Sequence, residues 1–113
     1  MNWQPLTALL QLDQISELSG QVPCLIFKHS SRCNISSIAK FRLEAGWDFP
    51  EGKVEPFFLD LIAHRQVSAA VAERFAVHHE SPQILLIKGG ECVLDASHLD
   101  ISVAEILEVL GSH

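Results

Sequence analysis

No two cysteines of this 113-residue chain form a C-x-x-C pair; Cys24, Cys33 and Cys92 stand apart. An odd number of cysteines fits a reducing compartment better than a disulfide scaffold. Cys24 lies at the start of an apolar run and Cys33 lies past its end, so four or more extended residues at roughly 3.3 Å each hold them about 13 Å or more apart. A disulfide spans roughly 5.5 Å, and these two should not bridge. Basic clusters are missing as well. Eight Lys and Arg are scattered against fourteen Asp and Glu, a formal net charge of -6, which argues against nucleic acid as a partner. There is no acidic run, internal repeat or low-complexity segment. The N-terminus lacks a basic region, and Leu6 to Leu12 is too short and too polar for a signal peptide or a membrane span. A soluble cytoplasmic protein with no membrane partner is expected. His29, His64, His78, His79 and His98 are dispersed, no H-x-x-x-H occurs and no cysteine pair completes a site, so no metal centre is expected.

With 48% hydrophobic and 19% charged residues, the composition is that of a globular protein. Its length suits one domain over residues 1–113. The stretch Val22-Pro-Cys-Leu-Ile-Phe-Lys-His-Ser-Ser-Arg-Cys33-Asn-Ile-Ser36-Ser-Ile-Ala organises the rest. It begins as a strand, breaks at Ser30, Ser31 and Arg32, and resumes with the helical spacing of Ile35, Ile38 and Ala39. Cys33 stands where the helix begins. A helix N-terminus offers unpaired N–H groups and the positive end of the macrodipole, which favour a thiolate, the nucleophile of thiol chemistry.

The remaining elements follow from periodicity and breakers. Met1 to Leu12 is a loop or a short edge strand broken at Pro5. Asp13 caps a short helix through Leu18 that Gly20 ends. Val22 to Phe27 is apolar on both faces, as in a central strand covered on each side. The Cys33 helix runs to about Ala45 and stops at Gly46; Trp47 to Lys53 is a loop. Val54 to Ile62 is a second strand and Gln66 to Phe75 a helix. His78 to Ser81 form a polar loop that ends at Pro82. Gln83 to Ile87 and Cys92 to Leu94 flank Gly89-Gly90 as a hairpin. Ser102-Val-Ala-Glu105 is a capping box for a last helix through Leu110. This order predicts an α/β fold with a mixed central sheet of about four strands and helices on both faces, the core arrangement of thioredoxin-like domains, which periodicity alone does not separate from other small α/β folds.

Four blocks carry a closer likeness: Phe27-Lys-His-Ser-Ser-Arg-Cys-Asn-Ile-Ser36, Leu59-Asp-Leu-Ile-Ala-His-Arg65, His79-Glu-Ser-Pro-Gln83 and Ser97-His-Leu-Asp-Ile101. In that order, from about Leu6 to Leu110, the chain resembles the monothiol bacilliredoxins, the YtxJ-like proteins of bacillithiol metabolism. The resemblance implies a thioredoxin-like fold, with Cys33 as attacking thiol. It implies bacillithiol as co-substrate, with no tightly bound cofactor, and bacillithiolated client proteins as partners. It further implies that Ser81-Pro82 is the cis-proline corner facing the cysteine. One departure is visible: Asn34 stands where the family usually has proline, which bears on redox poise.

The helix end contributes about 0.3 to 1 kcal/mol to an anion, so a second source of thiolate stabilisation is expected. Arg32 is adjacent, and a charge-assisted hydrogen bond is worth about 1.5 to 3 kcal/mol. Ser36, at i+3 on the same face, is the expected donor, where a dithiol enzyme would carry its second cysteine. Without that cysteine, Cys33 should itself carry the small thiol until a second thiol releases it. Cys92 is a candidate internal resolver or a half-buried hairpin residue, and Cys24 reads as core. The candidate site is therefore Cys33, Ser36 and Arg32 for chemistry, with Ser31, Asn34, Ser81 and Pro82 for substrate, the Ser81 backbone pairing with an extended client. His29 reads as a buried structural histidine, and His98 shapes the approach to the last helix. The alternatives to thiol exchange are an iron-sulfur cluster shared between two protomers, as C-x-x-S glutaredoxins hold, or an interaction domain whose cysteine is merely modified.

Overall fold

The computed structural model describes residues 1–111; the last two positions of the expected 1–113 domain lie outside the described residues. Five strands, β1 (Gln4–Pro5), β2 (Cys24–His29), β3 (Glu55–Asp60), β4 (Gln83–Lys88) and β5 (Glu91–Ser97), form one sheet in the order β1-β3-β2-β4-β5. Four α-helices, α1 (Leu10–Leu18), α2 (Asn34–Gly46), α3 (Arg65–Arg74) and α4 (Val103–Gly111), and a 3-10 turn at His98–Asp100 complete it. β1 and β2 run parallel to β3, whereas β4 is antiparallel to both β2 and β5. None of these helices is long and apolar enough to cross a membrane.

β2 sits at the centre, and its alternation sorts the core. Cys24 and Ile26 join Leu12, Ile15, Val67 and Val71 under α1 and α3. Leu25 and Phe27 join Ala39, Leu43, Ile101 and Ile106 on the opposite face, under α2 and α4. A strand buried on both faces reads as an unbroken apolar run, which is why Val22 to Phe27 was legible. Its last two residues are polar and still buried: Lys28 is 0% exposed and His29 9%.

Three expectations change. The sheet has five strands rather than about four, because β1 is two residues long and pairs only with Phe57 and Phe58, too short to leave a β pattern in the sequence. Asp13 does not cap α1, which starts a turn earlier at Leu10. Gln11 Oε1 instead accepts the Thr7 and Ala8 N–H groups, at 2.8 and 3.0 Å, and Asp13 pairs with Arg74 at 2.7 Å. The hairpin is longer than expected, since β5 continues to Ser97. Its turn does fall at Gly89 and Gly90, both at positive φ (61° and 79°) as the tight two-residue turn demands. Ser19 ties that turn to the end of α1: its carbonyl accepts the Gly89 N–H and its hydroxyl the Gly90 N–H, both at 2.8 Å.

Phe27 is the largest apolar side chain at the centre of the second core, 0% exposed, with ring centroids of Trp3 at 5.6 Å and Phe58 at 6.1 Å. Phe27→Ala is expected to cost about 3–5 kcal/mol of stability, measured by urea unfolding; a loss under about 1 kcal/mol would mean that the cavity collapses freely.

Candidate active site

β2 ends at His29, and the chain turns through Ser30, Ser31 and Arg32 into α2. The turn closes with the Cys33 N–H donating to the Ser30 carbonyl at 3.1 Å, while the Arg32 N–H lies 3.4 Å from the Ser30 hydroxyl. Cys33 is the N-cap of α2, with extended φ/ψ of -116° and 117°, and its carbonyl accepts the Ser36 and Ser37 N–H groups at 3.1 and 3.3 Å. Those bonds use its backbone; among the described residues its sulfur has no hydrogen-bond partner. The thiol is half-buried beside the exposed Ser31, Arg32 and Asn34. A helix of 13 residues therefore starts with a reachable sulfur at its N-terminal end.

The expected hydrogen bond from Ser36 to that sulfur is replaced by a different one. Ser36 is 0% exposed, and its hydroxyl oxygen accepts the Ser30 N–H at 3.0 Å and lies 2.7 Å from His29 Nδ1. Burial, aided by the Lys40 charge, holds His29 below its ordinary value, so its ring is neutral at pH 7. The Ser36 hydroxyl and His29 Nδ1 share one hydrogen bond, whichever of the two carries its proton. Ser36 is thus a positioning residue that knots the end of β2 to the first turn of α2. The physical reason is burial: a hydroxyl enclosed beside an unpaired N–H and an imidazole satisfies those before a half-buried sulfur. The sequence signal for His29 was a polar residue ending an otherwise apolar strand, seven positions before Ser36.

The other two thiols are elsewhere. Ile87 pairs with Cys24 at the start of β2 and with Cys92 on β5. Cys92 is therefore at the opposite end of the sheet from Cys33, with the length of β2, about 16 Å, between them. It is not placed to act as an internal resolver. Burial, with Asp95 adding to it, pushes the Cys92 thiol up to about 11. Burial and the Glu55 charge push Cys24 up to about 12, and it is fully enclosed. Both stay protonated and unreactive at neutral pH.

The Ser81–Pro82 peptide bond is cis. Gln83 pairs with Lys28, so Pro82 lies at the same end of the sheet as His29 and the Cys33 loop. Pro82 is buried, and its carbonyl accepts the His98 N–H at 3.0 Å, which ties the 3-10 turn to this corner. The Ser81 hydroxyl is buried without a hydrogen-bond partner among the described residues. Gln83 Nε2 donates to the His78 carbonyl at 2.9 Å, and Lys28 Nζ lies 3.1 Å from His79 Nδ1, holding the preceding loop from below. Sequence reasoning missed Lys28; its signal was a lysine inside an apolar strand. A cleft of about 440 Å³ between Met1, Trp47 and Pro50 reaches Glu55, at the start of β3 and away from this end. Among the described residues, no three His, Cys, Asp or Glu side chains converge as a metal site would require.

A parallel β2–β3 pair, an antiparallel hairpin, helices on both faces and a cysteine heading the helix after the central strand define a thiol-disulfide oxidoreductase of thioredoxin fold. Residues 4–106 match the family monothiol bacilliredoxin BrxC, and the chain belongs to that family. Among solved structures it is similar to a protein of thioredoxin fold, 27% identical over 94% of this chain and 91% of the other, with a TM-score of 0.80. The thioredoxin of Malassezia sympodialis is 18% identical over 99% and 90% of the two chains (TM-score 0.75). That of Fasciola hepatica is 17% identical over 97% and 98% (TM-score 0.71). The last two likenesses bear on the fold alone.

Ser36→Ala leaves the part-buried Ser30 N–H and the buried His29 Nδ1 unpaired, and about 1–3 kcal/mol of stability should be lost, read by thermal or urea unfolding. An unchanged midpoint would show that the knot holds nothing together. Acid should act on the same end of the sheet. Burial and Lys28 hold His79 below its ordinary 6.5, as burial does His29, so the unfolded chain takes up protons first. The stability from both rings is complete above about pH 6.5 and is lost as pH falls below it through their folded values. His79→Gln, which can still accept from Lys28, should flatten part of that slope in a pH series of unfolding midpoints.

Proposed function

We propose that this protein removes bacillithiol, or a similar low-molecular-weight thiol, from mixed disulfides on client proteins by a monothiol route. The Cys33 thiolate attacks the bacillithiol sulfur of a client–S–S–bacillithiol disulfide. The client sulfur departs as a thiolate and is protonated, and a Cys33–S–S–bacillithiol disulfide remains. A second thiol, another bacillithiol or a reductase, attacks that adduct and returns Cys33 as the thiolate, so for each client thiol released one incoming thiol ends in a disulfide with bacillithiol. Arg32, exposed beside the sulfur, offers a cation to the anionic forms; Ser31, Asn34, Ser81 and Pro82 border the approach. The protein works in the cytoplasm, where its thiols stay reduced.

The observation that carries this reading is the isolation of Cys33. It is the one cysteine at the helix start and the cis-proline end, its i+3 neighbour is a serine engaged with His29, and Cys92 is a sheet's length away. An adduct at Cys33 has no internal thiol to displace it.

Mass spectrometry of the protein incubated with oxidised bacillithiol tests this. One adduct is expected on Cys33, none in Cys33→Ser, and its removal should require added thiol. Ser36→Cys should convert the adduct into an internal disulfide without added thiol. Adduct formation on Cys92, or spontaneous loss of the Cys33 adduct in the wild type, would overturn the proposal.

A further inference from the structure

Lys28 is fully buried on the face of β2 that packs against α1 and α3. Its ammonium donates to the Ser68 carbonyl on α3 and to Nδ1 of His79, both at 3.1 Å. Both acceptors are uncharged, and no carboxylate pairs with it among the described residues. An ammonium has three donors, so one N–H is left over. Beside it the hydroxyl of Ser68, a residue 4% exposed, also lacks a partner among the described residues. Burial of a lone cation is costly, and such groups are as a rule paired.

Ser68 and His79 also line a cavity of about 410 Å³, together with Leu61, Arg65, Ala69 and Ala72. The lining holds an arginine and an imidazole but no carboxylate, in a chain of net charge -6. Of the acids next to these residues in sequence, Glu73 is exposed, and the other two have partners outside the cavity lining, although the Glu80 charge still acts on His79. Asp60 Oδ1 accepts the Ile62 and Ala63 N–H groups, and Glu80 leans toward His98 and His78. The cavity opens at the catalytic end of the sheet, where the Leu61 N–H donates to the His29 carbonyl at 3.0 Å. Its volume is that of a small-molecule site.

We propose that this cavity binds a small organic carboxylate. Arg65 meets the anion at the entrance, and Lys28 receives it when the exposed ring of His79 turns off the ammonium, a side-chain rotation on the ps–ns scale. The leftover N–H of Lys28 and the Ser68 hydroxyl supply the donors that an anion uses. Leu61, Ala69 and Ala72 cover its carbon skeleton, which favours a carboxylate on a carbon chain over inorganic phosphate. The anion comes from one of two sources, the thiol exchanging at Cys33 or a free metabolite.

Titration with succinate, which has no sulfur, tests the site independently of Cys33. Succinate should raise the thermal midpoint and move the His79 ring resonances in NMR, and inorganic phosphate should do so far less. Lys28→Met and Arg65→Gln should each weaken binding on the order of tenfold or more. Arg65 is exposed, so its variant carries the test should Lys28→Met fail to fold. No succinate-dependent change, equal affinity in wild type and Arg65→Gln, or phosphate binding as tight as succinate would overturn the proposal. A second arm identifies the source. Faster exchange of Cys33 with the disulfide of mercaptosuccinate than with that of 2-mercaptoethanol, reduced by Arg65→Gln, assigns the carboxylate to the exchanging thiol. Equal rates with succinate binding intact assign it to a free metabolite.

Discussion

The bond between the Ser36 hydroxyl and the ring of His29 decides where the Cys33 sulfur stands. β2 delivers His29 to a buried position under α2, and Ser36 reaches back across the Ser30 turn to meet it while accepting the Ser30 N–H. The loop that carries Cys33 is thereby fastened at both ends by one oxygen. Each hydrogen bond is worth only about 0.5–1.5 kcal/mol net when made, but leaving its partners buried and unpaired costs more than that. This asymmetry makes the loop geometry specific. Because the knot is buried, Ser31, Arg32 and Asn34 can all remain exposed around the sulfur without supporting it.

The same strand separates two kinds of polar device by alternation. His29 points to the α2 face and serves the loop; Lys28, one residue earlier, points to the α3 face and holds the segment that leads to Pro82. Side chains one residue apart on a strand are on opposite faces, so the two sides of the catalytic end are anchored from neighbouring positions. A one-residue slip in β2 would exchange the two and break both. Pairing with β3 from Cys24 to His29 and with β4 from Cys24 to Lys28 prevents it.

Much of this was legible from composition of the segments. The apolar run before Lys28, the helical spacing after Cys33, the Gly89-Gly90 turn and the Ser102 cap each announce an element through local chemistry. The Ser102 hydroxyl does accept the Glu105 N–H, at 3.1 Å. Where the reading failed, the deciding contact was distant in sequence. β1 exists only because Phe57 and Phe58 lie beside it, and Asp13 leaves the cap of α1 to meet Arg74. Ser36 was assigned to Cys33 by helical proximity, but the choice among its neighbours was made by which of them is buried. His29 enters that choice through the fold rather than through spacing. Lys28 escaped notice because a lysine on a strand normally marks a solvated face, whereas here it meets a helix carbonyl on α3, 40 residues on.

The separation of thiols follows from this architecture. In a parallel β2–β3 pair the helix after β2 must begin at the C-terminal end of the strand, and Cys33 begins that helix. Cys24 opens the same strand, and Cys92 faces Ile87, the residue that pairs with Cys24. Both are therefore held at the other end by sheet register rather than by loop conformation. A loop movement large enough to join either of them to Cys33 would have to unpair β2, whose six residues are all buried. The isolation of the Cys33 sulfur from the other two thiols is thus a consequence of register and burial. Neither Cys24 nor Cys92 is within reach of Cys33 while that register holds.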